Sequence, residues 1–99
     1  MDASEKQSAL FIQLILMLHA GAMQHMGKIK NPVTDAVERE LPAAQGMIDM
    51  IEMLRVRTTG NLSPEETKMV DQILQELRLN FVDEVNKKET PQAGGEPAS

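Results

Sequence analysis

The chain has 99 residues, no cysteine and a formal net charge of −5 at pH 7. This length suits one domain with a modest core, which a partner subunit would help to complete. The absence of cysteine excludes disulfides, thiolate metal sites and cysteine nucleophiles, and it fits a cytoplasmic protein. The negative charge and the presence of only two aromatic residues argue against nucleic-acid binding. We therefore expect an aliphatic core and no nucleic-acid partner.

The first predicted helix covers residues 8–26, after a flexible N-terminus at residues 1–7. Residues 9–18 form an apolar stretch that is interrupted only by Gln13. A helix that is apolar on nearly all sides must be shielded from water on nearly all sides. Two neighbouring helices of the same chain cannot do this alone. The uncovered side predicts a homo-oligomer, with a dimer as the commonest closed form. We expect four residues at this interface: Leu10, Phe11, Ile15 and Leu18.

A membrane-spanning helix and a signal peptide both fit this segment less well. A transmembrane helix needs about 20 apolar residues, and the stretch at 9–18 is too short. A signal peptide would fit the length of the apolar run, but Asp2 and Glu5 accompany the only nearby basic residue, Lys6. The segment also lacks the basic polar face of a helix that lies on a membrane. A buried helix at an oligomer interface is the favoured interpretation.

A second helix is predicted from Leu41-Pro42 to Gly60, after a connection at residues 27–40 that contains Asn31-Pro32. A third is predicted from Pro64 to about Val85. Both carry an apolar stripe at helical spacing. From residue 86 the chain is rich in proline, glycine and charge, which predicts a disordered tail at 86–99. The single helical domain then covers residues 8–85.

The junction between the second and third helices carries the strongest local signal. Gly60 and Asn61 tolerate the left-handed conformation that ends a helix. Ser63 can cap the next helix, Pro64 suits its first position, and Glu66 completes a capping box. The pattern predicts a helical hairpin and an all-α, three-helix fold.

Together with Gly27, Asn31-Pro32 and Leu77-Arg78, the Gly60-Asn61-Leu62 junction resembles a bacterial family called domain of unknown function 1844. The similarity covers residues 11–82, and the Gly60-Asn61-Leu62 junction is its most specific part. The chain departs from the pattern at residues 57–59, where a lysine-rich version is expected, and at Phe81, near an expected tyrosine. The resemblance implies a small, cytoplasmic, all-helical bacterial protein, and it brings no activity with it. The residues that carry it are Gly27, Asn31, Pro32, Leu41, Ala44, Ile48, Asp49, Leu54, Thr58, Gly60, Asn61, Leu62, Glu66, Leu74, Leu77 and Arg78.

Candidate chemical sites are weak. His19, Met23 and Met26 share one helix face and could hold a soft metal, but methionines at helical spacing are usually core residues. Asp49 and Glu52 lie one turn apart and could form an acid–base pair, but such pairs are usually solvated. We therefore expect no catalytic residue, no metal and no cofactor.

Residues 21–28 superficially resemble a phosphate-binding loop. Their spacing is wrong, Ile29 replaces the required hydroxyl residue, and a helix precedes them. Close packing between helices is a better role for Gly21.

Asp49 and Arg78 have a possible structural role. Counted from the hairpin, they lie about 15 and 21 Å along antiparallel helices, and a long arginine side chain can span the difference. We predict an ion pair between these residues that fixes the register of the two helices. Two independent surface charges remain an alternative of nearly equal weight.

The function expected from these features is that of a non-enzymatic cytoplasmic interaction or scaffold protein that self-associates. Five methionines could provide an adaptable surface for a protein partner: Met17, Met23, Met47, Met50 and Met53. One alternative is a small-ligand or metal-binding bundle with His19 as its polar anchor. A second is peripheral membrane association through the first helix.

Overall fold

The computed structural model of the chain describes residues 2–89. Three helices are present, α1 (Ala3–His25), α2 (Leu41–Arg57) and α3 (Pro64–Glu89), and each packs against the other two. No strand occurs within residues 2–89. The predicted all-α arrangement, with a hairpin of α2 and α3 and with α1 packed on it, is confirmed.

Helix α1 begins earlier than its apolar pattern predicts. The side chain of Asp2 accepts a hydrogen bond from the Glu5 N–H at 2.8 Å, and the Glu5 carboxylate accepts one from the Asp2 N–H at 3.0 Å. This reciprocal capping box satisfies backbone donors that a helix start leaves free. The prediction of a flexible N-terminus is therefore wrong for residues 3–7, which are helical.

The turn between α2 and α3 has the predicted geometry. Gly60 has a φ of +87°, a conformation that costs a residue with a Cβ atom about 1 kcal/mol or more. The Asn61 N–H donates to the Thr58 carbonyl at 2.8 Å, which closes the turn. Helix α2 itself ends at Arg57, slightly before the predicted end at Gly60.

The start of α3 is capped as predicted. Ser63 Oγ accepts from the Glu66 N–H at 3.1 Å, and the Ser63 N–H donates to Glu66 Oε1 at 2.8 Å. Pro64 occupies the first helical position, where its missing N–H costs no hydrogen bond. The Glu66 carboxylate also accepts a hydrogen bond from Ser8 Oγ, which ties the start of α1 to the start of α3.

Helix α3 extends beyond its predicted end near Val85. Residues 86–89 are helical, so the predicted disordered tail is wrong for those residues. The remainder of that tail, residues 90–99, lies outside the described residues.

The core is aliphatic and draws on all three helices. Its buried residues are Ile15, Ala22, Met26, Leu41, Ala44, Ile48, Ile51, Val70, Ile73, Leu74 and Leu77. Partly buried residues, including both phenylalanines, surround this cluster. The core sits between the helices and leaves much of the outer surface of α1 uncovered.

Helices α1 and α2 are antiparallel neighbours. The Glu40 N–H donates to the His25 carbonyl at 2.7 Å, so the start of α2 lies beside the end of α1. Farther along, the end of the Met47 side chain lies 3.5 Å from the position that a Cβ atom on Gly21 would take. Counting about one turn from this contact along each helix brings Met17 and Met50 to the same level.

Candidate functional site: the outer face of α1 and α2

Charge is distributed unevenly over the helices. Residues 7–27 contain no aspartate, glutamate, lysine or arginine, whereas α2 carries charges from Asp49 onward and α3 carries them along its whole length. The surface of α1 beyond its first turns is therefore formally uncharged when its two histidines are neutral.

Part of this uncharged surface is apolar and exposed. Leu10, Leu14 and Met17 follow one another at i, i+4 and i+7, so they form one stripe along α1. Their exposed fractions range from 40% for Leu14 to 63% for Met17. On α2, Met50 and Met53 are also about half exposed. We call these five residues the outer face.

The two parts of the outer face lie on neighbouring helices. The stripe on α1 leads to Gly21, which is four residues beyond Met17 and contacts Met47 of α2. Met50 and Met53 follow Met47 at steps of three residues and turn outward from this contact. The stripe therefore runs beside the exposed methionines of α2, on the side of the α1–α2 pair that is turned away from the core.

The residues predicted at an oligomer interface are placed differently by the structure. Ile15 has no exposed surface and belongs to the chain's own core, and Phe11 and Leu18 pack against that core. Of the predicted set, only Leu10 belongs to the outer face. The reason is that a helix with little apolar asymmetry carries no indication of which stripe turns inward.

The predicted ion pair between Asp49 and Arg78 is wrong about the acidic partner. Arg78 Nη2 lies 2.7 Å from Glu52 Oε2, and Asp49 Oδ1 accepts from Gln45 Nε2 at 2.8 Å. The pair does join α2 to α3, but one helical turn farther along α2. Asp49 and Glu52 thus have separate partners at an exposed surface, which does not favour a catalytic pair.

A shallow groove lies between α2 and α3 beside this ion pair. It has a volume of about 370 Å³, with Ile48, Phe81 and Val82 as its apolar lining. Glu52 and Arg78 stand at its polar side. His19, the predicted polar anchor of a ligand site, is not among the residues that line the groove.

His19 is turned toward α3. Its Nε2 atom is buried, forms no hydrogen bond in the described structure, and lies 3.5 Å from Glu76 Oε1. Met26, predicted on the same face, is fully buried in the core. Within residues 2–89 there is no group of three or more His, Cys, Asp or Glu side chains that could hold a metal ion.

The sequence-based predictions do not include a buried charge cluster near the C-terminal end of α3, away from the hairpin turn. Glu84 of α3 is 5% exposed and is the one buried charged residue in the described part of the chain. Its Oε1 atom accepts from Arg39 Nε at 2.9 Å, and its Oε2 atom lies 2.8 Å from Lys28 Nζ. Arg39 Nη2 also donates to the Glu84 carbonyl. The cluster fastens both ends of the α1–α2 connection to α3.

The electrostatics of this cluster favour the charged forms. Burial raises the pKa of Glu84, but hydrogen bonds from Lys28 and Arg39 outweigh it and leave the pKa below its ordinary value. Its hydrogen bond to Glu84 raises the pKa of Lys28. Lys28 also lowers the pKa of Asp83, whose Oδ2 atom lies 2.9 Å away. A sequence signal did exist, because Glu84 falls seven residues after the buried Leu77 on the inner side of α3.

Helix α1 meets the length and composition of a helix that could cross a membrane, and 11% of the qualifying window is buried. It lies near the N-terminus, and the core helices of soluble proteins and signal sequences meet the same criteria. This single helix is therefore weak support for a membrane location.

Comparison with known families gives a match over residues 8–83 to the family described as Domain of unknown function (DUF1844). The chain belongs to this family, as the residues around the hairpin turn predict. Neither a curated protein nor a solved structure matches it.

Proposed function

We propose that this protein is a non-enzymatic interaction protein of the bacterial cytoplasm that self-associates as a dimer through the outer face. The observation that carries the proposal is the uncharged stripe of Leu10, Leu14 and Met17, which remains exposed beside Met50 and Met53. Contiguous exposed apolar surface on a small protein marks an interaction site more often than single exposed apolar residues do.

Charge favours a second copy as the occupant. Each chain has a formal net charge of −5, so two copies repel each other over most of their surfaces. The outer face is apolar, and three of its five residues lie within the charge-free segment at residues 7–27. A two-fold dimer places the same patch of both copies in contact, and an uncharged apolar patch is complementary to itself.

The energetic gain from the outer face is of the same order as the cost of association. Complete burial of a leucine or methionine side chain contributes about 1.5–3 kcal/mol, and the five residues of the outer face are still about half exposed. Each of the ten side chains in a dimer would then contribute about 1 kcal/mol, against about 4–15 kcal/mol of lost rotational and translational freedom. Methionine adds adaptability because its side chain is flexible.

The test is the oligomeric state of Met17→Glu beside the control Leu79→Glu. Met17 and Leu79 are both well exposed, but Leu79 lies on the outer side of α3. In sedimentation velocity over a concentration series, we expect dimers for the wild type and the control, and monomers for Met17→Glu. Circular dichroism should show the same helix content in all three. A monomeric wild type, or a dimeric Met17→Glu, would overturn the proposal.

Two further measurements separate this function from the alternatives. In liposome flotation, binding of the wild type that Met17→Glu abolishes would assign the outer face to a membrane surface instead. In native mass spectrometry, a small molecule or metal retained at one per subunit would favour a ligand-binding bundle.

A further inference from the structure

The outer face contains three of the chain's eight methionines, and they are more exposed than the other methionines within residues 2–89. Met17 is 63% exposed, and Met50 and Met53 are 48% and 47% exposed. Met26, in contrast, has no exposed surface, and Met47 packs against the core. Oxidants in solution therefore meet the thioethers of the outer face first.

No cysteine competes with these side chains for an oxidant. The chain has no cysteine, tryptophan or tyrosine, so methionine is its most readily oxidised residue type. The exposed thioethers also lie on the surface that would bind a second copy. Oxidation at this place would act directly on association.

We propose that Met17, Met50 and Met53 form an oxidation site at which peroxide controls self-association. This inference rests on the proposed function, because association through the outer face is the property that oxidation would change. The reaction takes place on the separated protomer, since the dimer would cover the three sulfur atoms.

The chemical step is a two-electron oxidation of each thioether by a peroxide. The sulfur atom attacks one peroxide oxygen, the O–O bond breaks, and an S–O bond forms. The sulfur is oxidised to the sulfoxide, and the second oxygen of hydrogen peroxide is reduced and leaves as water. No side chain of the protein has to supply an electron or a metal.

The product is incompatible with a dry apolar interface. A sulfoxide oxygen is a strong hydrogen-bond acceptor, and the outer face offers no charged or amide donor among its five residues. Burial of the oxidised side chains would take these oxygens out of water, and no side chain of the outer face itself would replace the lost hydrogen bonds. We expect the dissociation constant of the dimer to rise at least tenfold when the three sulfoxides are present.

The experiment treats diluted, monomeric wild type with hydrogen peroxide and maps the modified peptides by mass spectrometry. Met17, Met50 and Met53 should be oxidised well before Met26. After removal of the peroxide, sedimentation velocity should show the weakened association. Methionine sulfoxide reductases should restore it. Equal oxidation rates at Met17 and Met26 would overturn the proposed site.

The matched control replaces all three residues, Met17→Leu, Met50→Leu and Met53→Leu. Leucine keeps the volume and apolar character but cannot form a sulfoxide. This variant should associate equally before and after peroxide. If it loses association as the wild type does, other oxidised residues are responsible and the inference is wrong.

Failure of the proposed function would give a different result. An untreated wild type that stays monomeric at every concentration would overturn self-association and its control by peroxide together. The peptide map would still decide whether these three sulfurs are the preferred sites of oxidation.

Discussion

Helix α1 has an inner face, which packs into the core, and it contributes three residues to the outer face, which is exposed. Both faces are apolar. Ile15 and Ala22 have no exposed surface, whereas Leu10 and Met17 are more than half exposed on the same helix. The core of the chain thus uses only part of the apolar surface that α1 provides. The inner face stabilises the protomer, and the outer face is left for contacts that a single copy does not make.

The largest expected difference between the two faces is in stability. Ile15→Ala should lower the free energy of unfolding by about 3 kcal/mol, because it leaves a cavity in the core. Leu14→Ala, on the outer face, should lower it by less than about 1 kcal/mol. Urea unfolding followed by circular dichroism, at concentrations where the protomers are separate, measures both. Equal losses would show that the two faces are not distinct.

The charge cluster around Glu84 also bears on the inner face of α1. It holds the connection that follows α1 against α3. Glu84→Gln keeps the shape of the side chain but removes the negative charge that Lys28 and Arg39 share. These cations are partly exposed, so we expect a loss of about 2 kcal/mol rather than the 3–5 kcal/mol of a fully buried pair. Asp83→Asn is the control, since Asp83 is exposed and should matter less.

The stability difference between wild type and Glu84→Gln should change with pH in a direction that follows from the pKa of Glu84. The pKa of Glu84 is lowered in the folded protein, so its contribution to stability is fully present above the ordinary glutamate pKa. The contribution is lost as the pH falls through the lowered pKa of the folded state. The difference in urea stability between wild type and Glu84→Gln should therefore shrink between neutral pH and about pH 3. A difference that grows on acidification would contradict the assignment.

The features that could be predicted from the sequence are those with local causes. The hairpin turn depends on Gly60, Ser63 and Glu66, whose backbone and capping requirements are met within a few residues. The start of α1 is equally local, because Asp2 and Glu5 have capping-box spacing, but the apolar pattern points to later residues.

The features that could not be predicted depend on how the helices are placed against one another. Arg78 pairs with Glu52 instead of Asp49 because of a shift of one turn, about 5 Å, in the relative position of α2 and α3. No short segment encodes such a shift. In the same way, the choice of Ile15 as a core residue depends on the rotation of α1, which its nearly uniform apolar sequence leaves undetermined.

The smallest expected effect concerns Gly21, where α1 contacts Met47 of α2. Gly21 is predicted to allow close packing, but a Cβ atom there would lie 3.5 Å from Met47 Sδ, an ordinary contact distance. Gly21→Ala should therefore raise the free energy of unfolding by about 0.5–1 kcal/mol, because alanine favours the helix. Gly46→Ala is the matched control in α2, where a Cβ atom would meet nothing within 4 Å. In urea unfolding of separated protomers, equal gains would show that Met47 accommodates the added methyl group. A loss for Gly21→Ala alone would mean that the contact between Gly21 and Met47 is as tightly packed as the core.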